Sequence, residues 1–505
     1  MQRTAAPRVP GRGSLLLGAR RIARLITQRL GRSTRDAGVT GLSTLLVLSL
    51  FVVSFAPILD LVPWIRPPYD QKRAAELVVI VLSLALAAAH PRGLHRVPRL
   101  ALYSILALAA LGAVSAGFAP SPRHAASEVA LFGGLLFLTL NLASIYEKRR
   151  ETALFLTGYM LNLGTFMLLV AFLAGCAAAL VHARPLSASE IVPGFSNIRF
   201  LNQTQTWSIP LLALCVFVRG TPSRILVASS CVVLSGSWFM LFATGARGSL
   251  LALAVACVLS LWVFGRAAAR PFLKVQALCV ATGFLAKLFV FELAPRWIGI
   301  GDSLLFDLGR TSDTGRVALW QQAATLIAEN PLLGVGPQHF ARYENAFSLA
   351  HPHNAPLQIA SEWGLPAALV VAGLLLWGFV RWTAGARARH GNSSQASVSV
   401  ILWTAMVAGA THSLLAGIVV MPLSQLLMTV ICGAALGTYE PRLSNRSEHT
   451  ANTQSSLRLA SALVLVFLVA AVAPDLVVRV MGEELMPTGM VVVGPRFWQL
   501  GGIPH

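Results

Sequence analysis

The strongest constraint on this chain is a succession of apolar windows separated by short polar turns. A segment that crosses a bilayer needs about 20 mostly apolar residues to cover roughly 30 Å of hydrocarbon. The sequence offers about thirteen windows of this kind by sliding hydropathy. They lie near 40–60, 74–90, 100–119, 127–146, 152–182, 207–219, 224–243, 249–265, 273–293, 365–382, 398–418, 421–438 and 457–474. The window at 207–219 is short and the one at 152–182 is long. Only 12% of the 505 residues are charged and 55% are hydrophobic, against about a quarter charged in an ordinary globular chain. Hydrocarbon offers no water to backbone polar groups, so such windows fold as helices. The expected fold class is an all-α polytopic membrane protein with about 12–13 transmembrane helices.

A net charge of +20 would point to nucleic acid in a soluble chain. Here the Lys and Arg residues gather in alternate loops, which is the positive-inside rule and gives the orientation. The tail carries Arg3, Arg8, Arg12, Arg20, Arg21, Arg24, Arg29, Arg32 and Arg35. Turns with the same bias hold Arg92, Arg96 and Arg99, then Lys148, Arg149 and Arg150, then Arg219 and Arg224. Arg266, Arg270 and Lys274 follow, then Arg381, Arg387 and Arg389, then Arg442 and Arg446. The partner implied by this charge is the lipid bilayer, with no nucleic acid. Among the outside loops the first is an exception, with Arg66, Lys72 and Arg73. The chain thus divides into a basic tail (1–39), nine spans (40–293), an outer loop (294–364), the last spans (365–474) and a C-terminal tail (475–505).

Two readings of the N-terminal tail stand side by side. Leu15–Leu30 mixes Arg with Leu and Ile at helical spacing, which suits a basic helix lying on anionic lipid. An Arg-rich, acid-poor start is also the pattern of a transit peptide. The six cysteines, Cys176, Cys215, Cys231, Cys257, Cys279 and Cys432, all fall in apolar runs without a CxxC pair. They read as core-filling residues.

The longest outer loop runs from about Ala294 to Pro366, and loops of that length are usually functional. Within it Thr314–Glu329 reads as a helix with an apolar stripe of Val317, Trp320, Ala324, Leu326 and Ile327. Asn330-Pro331 stops it and Gly334-Val-Gly336-Pro337 makes a turn. A second amphipathic helix starts near His353 or Asn354 and runs through Leu357, Ile359 and Ala360. Together these helices form a lid over an outward-opening cavity.

Three side chains stand out chemically. Arg247 lies where the seventh window reaches the outer surface, Arg316 lies on the loop helix, and His353 sits beside His351 in His351-Pro-His-Asn354. A guanidinium stays charged and forks two donors onto a phosphate. A histidine titrates near neutrality and takes a proton from a hydroxyl. That set suits metal-free transfer from a diphosphate-linked donor. Each residue also has a plainer reading, as a headgroup anchor, a solvated helix face, or a surface histidine.

The order of the loop pieces is more specific than any one of them. Gly315-Arg-Val-Ala-Leu-Trp320, Asn330-Pro-Leu-Leu-Gly-Val-Gly-Pro337, His351-Pro-His-Asn354 with Leu357, and Glu362-Trp-Gly-Leu365 follow in turn. This run resembles the outer loop of the O-antigen ligase and O-antigen polymerase superfamily. Thr244-Gly-Ala-Arg-Gly-Ser-Leu-Leu-Ala-Leu253 is similar to that family's arginine-glycine span, and Phe195-Ser-Asn-Ile-Arg-Phe-Leu-Asn-Gln203 to its asparagine-rich segment. The resemblance implies a GT-C-like, inverting, metal-independent glycosyltransferase with no cofactor, in the bacterial inner membrane with a periplasmic active site. Its donor would be an undecaprenyl-diphosphate-linked glycan, and its acceptor a glycan, lipid A core or protein hydroxyl. By the same carry-over Arg247 and Arg316 hold the diphosphate and His353 is the general base, with His351 the alternate. Asn354 and Glu362 orient the histidine or support the lid. Arg199, Asn202 and Gln203 line the donor or acceptor path.

Members of that family have about a dozen spans with both ends inside. The window at 457–474 adds one and leaves an outside tail containing Gly494-Pro-Arg-Phe-Trp498, placed to contact the acceptor. Ligase, polymerase and protein glycosylation share the same donor chemistry, and the ligase-like branch is the expectation. A transporter would instead need ionisable groups near the bilayer midplane, where Lys287 is the clear mid-span charge. A non-catalytic scaffold would have no use for the two arginines and the histidine.

Overall fold

A computed structural model describes residues 37–91, 97–182, 192, 194–218, 222–297, 299, 315–343, 349–388, 393–439, 451–481 and 495–499, and no strand occurs among them. The basic tail with its Leu15–Leu30 stretch lies outside the described residues, as do Arg92, Arg96, Arg219, Arg389, Arg442 and Arg446. The helices are α1 (Ala37–Phe55), α2 (Pro68–Ala89), α3 (Arg99–Phe118), α4 (Pro122–Lys148), α5 (Arg150–Val181), α6 (Ile198–Leu212), α7 (Arg224–Ala243) and α8 (Arg247–Leu288). Then come α9 (Arg316–Glu329), α10 (Ala355–Trp363), α11 (Leu365–Ala388), α12 (Ser393–Ser413), α13 (Pro422–Thr438) and α14 (Ala451–Met481). A turn of helix at Leu214–Phe217 prolongs α6 beyond Pro210.

Among the described residues, eight helices are long and apolar enough to cross a membrane, and α1 and α13 are shorter apolar helices. The chain is therefore an all-α polytopic membrane protein. The windows at 249–265 and 273–293 are two arms of α8, broken at Gly265 where φ is 74° and ψ 168°. Cys279 contacts the carbonyl of Cys231, and Thr282 the hydroxyl of Ser235. The second arm thus runs parallel to α7, so the chain reverses at that glycine. The window at 457–474 falls within α14, which continues through Pro474 to Met481, seven residues past the expected boundary (481 − 474).

Helices α4 and α12 are mostly buried, whereas α3, α11 and α14 turn most of their apolar surface outward. Outward apolar faces have no hydrophobic penalty against lipid. What holds the centre is close packing around small residues and interhelical hydrogen bonds. Gly409 on α12 lies so close to the Trp207 ring that a side-chain carbon there would come within 1.9 Å of it. Tyr146 and Thr157 share a 2.6 Å bond, and Trp382 donates to the Ala435 carbonyl at 2.7 Å. None of the six cysteines forms a disulfide.

The placement of two basic residues needs correction. Lys72 and Arg73 are not loop residues but lie buried in the first turns of α2, together with Asp70 and Glu76. Arg73 pairs with Glu76, and Arg479 on α14 pairs with Asp70 at 3.0 Å. Lys287, in the second arm of α8, pairs with Glu292. The sequence window missed the cluster because burial of opposite charges against each other removes the penalty that hydropathy counts singly. These charges sit at the helix ends facing the long loop, not at mid-length. Ser115 near the end of α3 reaches the Leu333 and Glu362 carbonyls of that loop, and Glu128 near the start of α4 reaches Arg496.

Candidate functional site

The loop has its own small core. Leu319, Ala323 and Leu326 of α9 are buried with Val335 and Phe340, and Tyr343, Leu349 and Leu357 pack against them. The buried stripe is therefore rotated from the expected one, since Val317 is exposed and Ala324 faces outward. Leu319, Ala323 and Leu326 follow the i, i+4, i+7 spacing of one helix face, and Arg316 and Trp320 flank it.

The glycine turn after α9 docks on the end of α10. Val335 and Gly336 donate from their backbone to the Ser361 and Glu362 carbonyls at 2.9 and 3.0 Å. Gly364 has φ 85°, and a Cβ there would meet the Leu332 carbonyl oxygen at 2.2 Å. Only a residue without a Cβ takes that backbone at that distance. His339 is consumed by this turn: one ring nitrogen faces the Pro337 carbonyl at 2.8 Å and the other accepts from the Ser121 backbone N–H at 3.0 Å.

Trp320 donates from its indole to the Pro352 carbonyl at 3.1 Å. Arg316 and Trp320 are four residues apart on α9, so they share a face, and this bond draws the His351-Pro-His turn against Arg316. His353 takes φ 55°, a left-handed conformation that is uncommon outside glycine and clusters at functional positions. Its backbone N–H donates to His351 Nδ1 at 3.3 Å. His351 is buried, with that nitrogen committed, and Gly417 crowds its ring. His353 is half-buried, and among the described residues nothing hydrogen-bonds its ring. Of the two histidines, His353 is the less buried one.

Burial, and then the nearby Arg316 charge, lower the proton affinity of His353 to a pKa of about 4. Burial, His353 and Arg496 push His351 well below the ordinary histidine range. Both imidazoles are neutral at pH 7. Asn354 caps α10 by accepting from the Leu357 N–H at 3.0 Å and ties it to the bundle by donating to the Leu414 carbonyl at 3.1 Å. Glu362 accepts from the Phe340 N–H at 3.1 Å and pairs with Arg496. Both residues hold the loop in place, and neither bonds His353.

Arg247 opens α8, and Arg316 opens α9. Among the described helices that start at the loop end, these two begin with arginine. Neither has a side-chain N-cap. A cation opposes the helix dipole there, whereas an anion is favoured by it.

The segment from Phe195 packs on the Arg247 turn. Arg199 donates to the Gly245 carbonyl at 3.2 Å, Asn202 to the Thr244 hydroxyl at 2.8 Å, and Ser249 to the Asn202 carbonyl at 3.1 Å. Arg199 is exposed. Asn202 and Gln203 are buried, and each leaves a side-chain oxygen without a partner. Two clefts, sharing Phe195 and Thr204, open beside this segment.

His412, near the end of α12, was not singled out from sequence. Its Nδ1 lies 2.8 Å from the Thr206 hydroxyl, and a carbon on Gly248 would lie 3.2 Å from its Nε2. His412 thus lies between the Thr206 hydroxyl of α6 and the Gly248 turn at the start of α8. A buried histidine at the loop end of a span was its only signal.

No group of three or more His, Cys, Asp or Glu residues suited to a metal occurs among the described residues. No curated protein matches the chain. Residues 230–372, which contain Arg247, Arg316, His351, His353, Asn354 and Glu362, match the family model described as O-antigen ligase. Residues 230–372 are thus similar to the O-antigen ligase family and lie within a larger helical membrane protein.

Proposed function

We propose that this protein transfers a glycan from an undecaprenyl-diphosphate carrier to an acceptor hydroxyl at the periplasmic face of the bacterial inner membrane, in the manner of a ligase. The observation that carries the reading is the bond from Trp320 to the Pro352 carbonyl, which holds the turn bearing His353 against the helix that opens on Arg316. In the step proposed, His353 takes the proton from the acceptor hydroxyl. The acceptor oxygen forms a bond to the anomeric carbon, and the bond from that carbon to the phosphate oxygen breaks. The electron pair leaves on the carrier diphosphate, whose added charge Arg247, Arg316 and the first-turn N–H groups stabilise. Inversion follows from direct displacement. Two guanidiniums supply the positive charge that a divalent cation supplies in other diphosphate transfers.

The low proton affinity of His353 fits this order of events. The free site holds the imidazole neutral, because burial and Arg316 oppose its charge. A bound diphosphate offsets Arg316, so the base gains strength when the donor is present. Arg199, Asn202 and Gln203 lie on the approach beside Arg247, where unpartnered amide oxygens suit sugar hydroxyls.

Deleting the gene in its host and resolving surface glycans and lipid-linked intermediates tests the function. The expected result is long chains held on the lipid carrier and absent from lipid A core. Single repeat units on the surface would assign a polymerase instead, and loss of sugar from a glycoprotein would assign a protein acceptor. Unchanged glycans in every fraction would refute transfer.

Arg247→Lys is expected to lower turnover by about 10²-fold, the scale of losing one aligned donor at a developing anion. An ammonium keeps the charge but cannot fork two bonds onto the diphosphate. Wild-type turnover in that variant would return Arg247 to the role of headgroup anchor.

A further inference from the structure

The C-terminal segment Pro495–Gln499 lies within the loop end of the bundle and not beyond it. Arg496, Phe497 and Trp498 are buried. The Tyr69 hydroxyl donates to the Arg496 carbonyl at 2.6 Å, and Arg73 Nε donates to the Phe497 carbonyl at 2.8 Å. Trp498 donates to Asp475 at 3.1 Å, and Gln499 donates from its backbone to Asp70 at 2.6 Å. The Arg479 guanidinium lies 4.4 Å from the centre of the Trp498 ring. Asp70 and Arg73 of α2 and Asp475 and Arg479 of α14 therefore all engage this segment.

What the segment delivers is one guanidinium. Arg496 is 1% exposed and bonds Glu128 of α4 at 2.7 Å and Glu362 of α10. Glu128 belongs to the central bundle, and Glu362 to the helix whose other end carries His353 and Asn354. Burial and Glu128 push the Glu362 carboxyl up, and Arg496 opposes them. Without Arg496, two buried carboxylates would face each other across the seam between loop and bundle. An uncompensated buried charge is strongly unfavourable, so the loop would lift from α4 or a carboxyl would take up a proton.

We propose that Pro495–Gln499 is an intramolecular clasp and that Arg496 is a positioning residue, tying α10 to α4 so that the loop bearing His353 stays docked. Sequence reading set this tail outside, facing the acceptor. Its engagement with Glu128 and Glu362 gives it a different task. The activity arm of the test rests on the transfer reading above, whereas the docking arm does not.

The test uses the full-length protein in lipid nanodiscs, with limited trypsin cleavage of the loop as the measure of docking and single-turnover transfer as the measure of activity. Arg496→Met is expected to raise loop cleavage at least tenfold and to lower the transfer rate at least tenfold, with the donor KM near wild type. Arg496→Lys should recover part of both, since it restores charge without the fork. Arg496→Met combined with Glu128→Gln and Glu362→Gln removes all three charges. It should return loop cleavage to the wild-type rate and recover most of the turnover.

Wild-type cleavage in Arg496→Met, or a triple variant as open as the single one, would overturn the clasp. If Arg496→Met does not accumulate, the triple variant decides: accumulation with a closed loop supports the clasp, and failure of both refutes charge compensation. Absence of transfer by the wild-type protein would refute the proposed function and leave the cleavage result to judge the clasp.

Discussion

His353→Ala is expected to lower transfer by about 10²–10⁴-fold, the usual range for removing a general base. The protein should insert and accumulate as wild type, because among the described residues no hydrogen bond is made to the imidazole. Alanine tolerates a φ of 55° less well than histidine, so part of any loss could come from the backbone. His353→Asn separates the two causes. Asparagine adopts the left-handed conformation readily but has no titrating nitrogen. Both variants should be equally inactive, with thermal unfolding unchanged in His353→Asn and lowered in His353→Ala. Activity in His353→Asn near that of wild type would show that the backbone turn is what transfer requires, and would remove His353 from proton chemistry.

Arg316→Gln should have two separate effects. Loss of a guanidinium from the diphosphate is expected to lower kcat by about 10²–10³-fold. It should also move the pH profile. In the wild type, burial and then Arg316 hold His353 neutral down to about pH 4, so the acid limb of kcat/KM, which reports the free enzyme, lies well below pH 6.5. Removing the positive charge leaves burial alone to oppose protonation. The histidine pKa rises, and the acid limb moves to higher pH while staying below the ordinary histidine value. Arg316→Lys should lose rate with little movement of the limb, because the charge remains. An acid limb that stays in place in Arg316→Gln, or moves downward, would show that Arg316 and His353 do not act on each other.

The loop motifs were legible because each carries a local physical rule. Asn354 precedes Ala355-Pro356, a sequence that reads as an N-cap with proline in the first turn, and α10 begins there. Asn330-Pro331 ends α9 as proline rules require. The face that α9 buries was harder to read. Val317, Ala324 and Leu319 are all apolar, and the choice among them was made by Val335 and Phe340 arriving from beyond the turn.

The buried ion pairs were not legible for a different reason. Hydropathy scores Arg73, Glu76, Glu128 and Glu362 one at a time as polar interruptions, whereas their energy depends on pairs that are far apart in sequence. Arg496 lies 134 residues from Glu362 and 368 from Glu128. No local rule joins such positions. His412 escaped notice for the same reason, since Thr206 and Gly248 come to it from two other helices.

By itself, the sequence determined that the chain is a bundle of apolar helices with one long polar loop, because a bilayer admits few other backbones and the cost of exposing each backbone group is local. It also marked Arg247, Arg316 and His353 as the groups with suitable chemistry. Only the tertiary structure decided that Trp320 brings His353 to Arg316, that His351 is spent on holding its neighbour's backbone, and that Arg496 sits between two buried carboxylates. Hydrogen bonds and charge pairs act over a few ångströms in space without regard to separation along the chain, and only the folded helices set those distances.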